Sequence, residues 1–339
     1  MIETVLGAID ARSLGATSMH DHVLSDASAL HRSGSAPLPE SARVAAEALG
    51  WLRWNALGLA DNLRLDDPEL AVEELSVLAP TAQRALVECS SWGLGPRHAD
   101  LAAISAASGV TIVVAYGAYV PRTVPEPFAS LGEDALERRF FEVLSVAIPG
   151  AGYRAGMLGI MGTTDALAER ERQQLRAAAR AAVRTGAAVS VRLDERAYRG
   201  LEVLELLAAE GLSADRVLFT NADEFLDAAY WADLSAAGAV LEMCFGCEMV
   251  HDGRMDNPSD RERLAFFPRF VEDQPSARLV LGQSLWTKMQ LRRHGGHGYD
   301  YLQRRIIPAL RIAGVDMERI ERMLVAEPAR LLDRPALDQ

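Results

Sequence analysis

Residues 156–161 read GMLGIM, residues 165–185 read DALAERERQQLRAAARAAVRT, and residues 188–193 read AVSVRL. The outer runs are short and almost wholly apolar, the pattern of parallel strands covered on both faces rather than of half-exposed antiparallel ones. The middle stretch is built of strong helix formers, with acids in its early turns and Gly186 just past its end. Strand, helix and strand in succession describe one βαβ unit.

The same unit recurs outward in both directions. Strand-like runs fall at residues 16–19, 84–89, 110–116, 156–161, 188–193, 216–221, 239–244 and 278–283, with helical stretches between them, among them 198–210 and 223–234. Eight such repeats predict an α/β fold, a (β/α)8 TIM barrel. No linker rich in Pro, Gly or Ser divides the chain, so residues 1–339 read as a single domain. The largest departure is an insertion after strand 1, at about residues 25–75, whose most loop-like part is 33–39. It is expected to lie over the barrel mouth.

The bulk numbers exclude several roles. The 339 residues carry a net charge of −12, which argues against nucleic acid or an anionic membrane as partner. No apolar run is long enough to span a bilayer, and Met1 to Asp10 lacks a basic region followed by an apolar core. Three cysteines, Cys89, Cys244 and Cys247, cannot all pair within one chain, so a reducing, cytoplasmic setting is the expectation. Cys244 and Cys247 form one CxxC, but no second pair accompanies it, and buried free thiols are the simpler reading.

Chemistry in such barrels sits where the strands end. Those ends offer His20, His22, Glu88, Tyr116, Tyr119, Ile160, Arg192, Asp194, Asn221, Glu242, Cys244, Gln283 and Ser284. The first is the most telling. Thr17-Ser-Met-His-Asp-His22 contains a His-x-His pair, which places two imidazoles on one strand face, half of a divalent-metal site.

Several segments carry a family resemblance. GATSMHDH (15–22), the run from Arg53 through Asp67, TKMQLRRHGGHGYD (287–300) and LVAEPARLL (324–332) are similar to the phosphotriesterase family of the amidohydrolase superfamily, over nearly the whole chain. The resemblance implies the barrel already argued, a homodimer, and hydrolysis of phosphoester, lactone or amide centres by two metal ions. Those ions are held in the family by the first-strand histidines, a bridging carboxylate or carbamylated lysine on strand 4, one histidine each on strands 5 and 6, and an aspartate on strand 8. Here the matching positions hold His20 and His22, then Ile160, Arg192, Asn221 and Ser284. Ile160 cannot ligate, and Arg192 is a permanent cation that repels a metal.

These changes agree in charge. Both acids leave together with the metals, and a guanidinium arrives. The expectation is therefore a barrel enzyme with a degenerate metal site and no resident cofactor, in which Arg192 replaces the metal centre electrostatically. It would act on a small anionic or carbonyl-containing molecule by elimination, isomerisation or cyclisation. His20 and His22 would move protons, with Asp194 pairing Arg192 or orienting a histidine. Asn221, Ser284, Gln283, Tyr116, Glu242 and Trp286 are the candidate substrate contacts. Two alternatives stay open. One is a hydrolase keeping a single divalent ion, zinc or similar, on His20 and His22. The other is a non-catalytic barrel that binds a metabolite or a protein partner. The plainer reading of Arg192, apart from these, is a structural ion pair to Asp194, Glu195 or Glu242 that fills the emptied site.

Overall fold

The computed structural model describes residues 1–40, 42–194 and 197–336. Glu195, one expected partner of Arg192, lies outside the described residues. The eight expected strands are all present: β1 (Ala16–Asp21), β2 (Gln83–Glu88), β3 (Thr111–Tyr116), β4 (Met157–Gly162), β5 (Val189–Arg192), β6 (Val217–Thr220), β7 (Val240–Cys244) and β8 (Arg278–Gly282). They form one sheet in chain order, and every neighbouring pair is parallel. Between β1 and β8 the ring is drawn together at its C-terminal end. There Ser284 N donates to His20 O at 2.8 Å and His22 N to Leu285 O at 2.9 Å.

A helix follows each strand: α1 (Pro68–Ser76), α2 (Leu101–Ser108), α3 (Glu133–Ser145), α4 (Glu169–Thr185), α5 (Gly200–Ala209), α6 (Ala228–Ala236), α7 (Asp260–Asp273) and α8 (Ile307–Ile312). Helix α4 begins four residues later than its composition suggests. The Glu171 carboxylate turns back to accept from Ala168 N at 2.6 Å and from Thr164 N at 2.7 Å. That cap fixes the start of the helix, because it satisfies donors the first turn leaves open. Residues 223–234 likewise open on a short 3₁₀ turn, Ala222–Glu224, before α6.

Period-two alternation divides the core into two layers. Ala85, Val87, Val113, Ala115, Met157 and Val280 fill the barrel interior, while Leu86, Ile112, Val114 and Tyr116 face the helices. Strand β1 breaks the alternation. Its register against β2 shifts between Ser18 and Asp21, so that Met19 packs inside the barrel and His20 also reaches the barrel mouth. The insertion after β1 pairs Ser25–Asp26 with Arg64–Leu65 and lies over that mouth, where Leu30 and Leu57 become wall.

Tyr116 sits in the outer layer beside His98, ring centroids 5.4 Å apart, and its hydroxyl accepts from Trp92 Nε1 at 2.8 Å. His98 Nε2 is buried without a partner among the described residues, and burial pushes this imidazole down to about 4. An unfolded histidine titrates near 6.5, so between the two values the unfolded chain binds more protons. Stability is therefore expected to fall as pH drops through that window, by about 3 kcal/mol in all. Urea unfolding at stepped pH checks this, and His98→Phe is expected to remove that part of the slope.

Candidate active site

The His pair is held from both sides. His20 Nδ1 lies 3.1 Å from Glu242 Oε2 and 2.7 Å from Thr220 Oγ1. Thr220 also donates to that carboxylate, and Asn221 N donates to it at 3.1 Å. His22 Nδ1 lies 3.0 Å from Ser90 Oγ, which donates to Glu88 Oε1 at 2.5 Å. Glu88 is anchored in turn by Ser90 N at 2.8 Å and Val23 N at 3.2 Å. With both Nδ1 atoms engaged outward, the two Nε2 atoms face each other at 3.3 Å. The whole chain from Glu242 to Glu88 is buried.

Gly282 makes this approach possible. A Cβ at that position would lie 2.6 Å from Glu242 Oε1 and 2.9 Å from the His20 Cβ, closer than carbon tolerates. The last residue of β8 must be glycine if Glu242 on β7 is to reach His20 on β1.

Burial disfavours charge on His20, but the Glu242 carboxylate outweighs it and raises the imidazole above its usual value. Burial and the neighbouring His20 push His22 well below its usual value. One proton shared along Nε2–H···Nε2 satisfies both rings. Burial lifts Glu88 and Asp21 each to about 7.

A cavity of about 110 Å³ opens over the pair. Ile160, Arg192, Asn221 and Ser284, the four residues that the resemblance sets at ligand positions, all line it together with Asp194 and Trp286. Asn221 and Ser284 hold left-handed backbones, φ 53° and 48°, which non-glycine residues rarely adopt. Among the described residues, the buried amide nitrogen of Asn221, Nδ2, has no hydrogen-bond partner. A buried unmade hydrogen bond is costly, so this donor marks a place where a ligand oxygen would be welcome.

Several expected contacts lie elsewhere. Tyr116 is turned to the helix layer by strand parity. Gln283 is buried and braces the chain, donating to Tyr299 O at 2.9 Å and accepting from Leu302 N at 3.2 Å. Glu242 stands behind His20 rather than on the cavity wall. Arg192 does not stand alone as a cation: it pairs with Glu224, from the turn after β6, and its guanidinium lies 6.0 Å from the Tyr119 ring. Glu224 offsets the charge that was to replace the metals. In the loop after β8, Arg292 N and Arg293 N both donate to Glu74, at 3.0 and 2.8 Å.

Two arrangements could hold a metal ion. One is the facing Nε2 pair. The other lies deeper, where His20 Nδ1, a Glu242 oxygen and Cys244 Sγ fall within 4.8 Å of one another. Burial, with Glu242 and Asp223 nearby, holds the Cys244 thiol well above its usual pKa. Ser90, Thr220 and Glu224 were not singled out from sequence, because nothing in their local spacing signals an approach made through space.

A family model described as the phosphotriesterase family matches residues 1–332. Among curated proteins, an N-acetyltaurine hydrolase from Dictyostelium discoideum is 25% identical, with 98% of this chain and 97% of that protein covered. The human N-acetyltaurine hydrolase is 24% identical over the same shares. Among solved structures, a resiniferatoxin-binding protein from Rhodobacter sphaeroides is 30% identical with a TM-score of 0.91, covering 98% of this chain and 94% of that one. A mutant of a Deinococcus radiodurans PTE-like lactonase is 24% identical with a TM-score of 0.77, covering 98% of this chain and 100% of that one; that likeness shows the fold alone.

Proposed function

The chain belongs to the phosphotriesterase family, and on that premise we propose that it is a hydrolase of small carboxylic amides, esters or lactones that works with one divalent cation on His20 and His22. The observation that carries this reading is the pair itself. Two nitrogens bound tetrahedrally to one zinc ion lie about 3.3 Å apart, and the two Nε2 atoms stand at 3.3 Å. Metal-binding histidines commonly anchor their other nitrogen on a carboxylate or its relay, which fixes the tautomer. Glu242 supplies that anchor for His20, and Ser90 with Glu88 supplies it for His22.

The donor set does not fit two ions. Ile160 offers only hydrocarbon where a bridging anion is required, and Arg192 brings a cation already engaged with Glu224. A single bound cation would polarise the scissile carbonyl and lower the pKa of a bound water. The chain's own residues do the rest. Asn221 Nδ2 is free to donate to the substrate carbonyl oxygen. Asp194, on the cavity wall, would accept a proton. Leu30, Leu57, Leu94, Met255 and Trp286 keep bulk water from the reacting bond.

A second reading, metal-free proton transfer by the His20–His22 relay, is favoured by the Arg192 guanidinium standing at a ligand position of the family. One experiment separates the two. Protein purified without chelator is expected to carry about one zinc, manganese or cobalt ion per chain. Ester, lactone or amide hydrolysis should vanish on chelation and return on reloading. A chain with no bound metal and a turnover untouched by chelator overturns the hydrolase reading and leaves the metal-free one.

A further inference from the structure

The far end of the barrel holds a second cavity, of about 260 Å³, that shares no lining residue with the first. It opens beside the start of β8, where Ser276, Ala277, Arg278 and Leu279 form one wall. Gly282, at the other end of that strand, adjoins the His pair. The facing wall comes from residues 317–332, which are helical throughout. Arg319, Arg322, Met323 and Glu327 recur there at intervals of three, one and four, the spacing of a single helix face. Ala277, Leu279 and Met323 are buried and make the apolar part of the lining. The volume lies just below the roughly 300–1,000 Å³ usual for small-molecule sites.

Three arginines and one glutamate give this lining its charge. Glu327 is already engaged: Arg330 Nη2 reaches its Oε1 at 2.6 Å, and Arg278 Nη1 lies 3.6 Å from its Oε2. Arg322 meets Glu318 at 3.3 Å, but both side chains are exposed, so that pair holds the cation only weakly. Arg319 differs from both. It is only 8% exposed, and its Nη1 and Nη2 donate to Pro275 O and Ala277 O, each at 2.9 Å, in the turn before β8. Among the described residues Arg319 makes no ion pair, and its Nε has no hydrogen-bond partner. Burial and then the Arg322 cation hold this guanidinium below its usual value. A buried charge without a counter-charge is costly, and an anion seated beside Arg319 and Arg322 would relieve that cost. We propose that Arg278, Arg319 and Arg322 form a phosphate site at the N-terminal end of the barrel, remote from the chemistry, for inorganic phosphate or a small phosphate monoester. Guanidinium groups suit this task because their planar donors match two phosphate oxygens at once. Ala277, Leu279 and Met323 would receive the short carbon body of a monoester. The site stands independently of the cation in the hydrolase reading.

The test is calorimetric titration of the full chain, both metal-loaded and chelated, at fixed ionic strength. The probes are inorganic phosphate, a three-carbon phosphate monoester and the corresponding alcohol. Saturable binding of a single phosphate group per chain is expected in both preparations, with no binding of the alcohol. Arg278→Ala and Arg322→Ala should each weaken that binding about tenfold, the usual loss of a charge-assisted hydrogen bond. Both side chains are exposed, so neither variant threatens the fold. The two phosphate arms identify the source: tighter binding of the monoester assigns the site to an organic phosphate, and tighter binding of inorganic phosphate assigns it to the free ion. Either result sustains the site. Absence of saturable binding, or binding that both substitutions leave unchanged, overturns it. Phosphate binding that disappears on chelation and survives both substitutions would place the anion at a cation on His20 and His22, which overturns this site while supporting the metal of the hydrolase reading.

Discussion

Arg263→Met is expected to lower the free energy of unfolding by about 3–5 kcal/mol, the usual consequence of removing one partner from a buried ion pair. Arg263 on α7 is completely buried. Its Nε and Nη2 both reach Asp223 Oδ2, at 2.7 Å, and its Nη1 reaches Asp260 Oδ1 at 3.1 Å. Burial opposes the charge, and Asp223 more than offsets it, so the guanidinium stays ionised. Methionine fills similar space without a donor and strands Asp223, whose remaining contact is Cys244 N at 2.9 Å. The damage should reach the active site, because Asp223 follows Asn221 by two residues and Cys244 follows Glu242 by two. Urea denaturation measures the stability loss. The double variant Arg263→Met with Asp223→Asn should lose less than the sum of the two single changes, since the charge at Asp223 then goes together with its partner. Additive losses would show that the two side chains do not depend on each other.

That brace was invisible in the sequence, and the reason is instructive. The strands announced themselves because each buried face demands apolar residues over a short contiguous run, as in GMLGIM and AVSVRL. The His-x-His pair was legible for the same local reason, and so was the convergence of Ile160, Arg192, Asn221 and Ser284, which follows from strand ends meeting at one barrel mouth. What decides charge and tautomer was not legible. Arg263 meets Asp223 across 40 residues and Glu242 meets His20 across 222. Neither separation leaves a periodic trace. Tyr116 shows the limit of reading strand ends without parity: it closes β3, but Ile112, Val114 and Tyr116 share one face, and that face belongs to the helices. Arg192 shows another limit. A cation at a position that the family resemblance gives to a metal ligand looks like a substitute for the metal until Glu224, on the turn after the neighbouring strand, is placed beside it.

Glu242→Gln is expected to weaken metal binding about 10–100-fold, the usual effect of removing a carboxylate that orients a ligating histidine. The carboxylate touches no cavity-side atom; it acts through His20 Nδ1. As a carboxylate it accepts from His20, Thr220 and Asn221 N through Oε2. Glutamine keeps the volume but brings two N–H donors into a pocket of donors, so His20 loses its fixed tautomer. Competition with a chromophoric chelator gives the affinity, and circular dichroism confirms that the fold survives. His22→Ala should remove stoichiometric binding altogether, because one imidazole and waters hold a divalent ion only weakly. Cys244→Ser then decides where the ion sits. If the facing Nε2 atoms hold it, the thiol stands aside and this variant keeps its affinity. Loss of the metal in Cys244→Ser, with retention in His22→Ala, would instead place the ion on His20 Nδ1, Glu242 and Cys244, behind the cavity wall. An ion there could not reach a substrate carbonyl, so that pattern would make the metal structural and return the chemistry to the histidine relay.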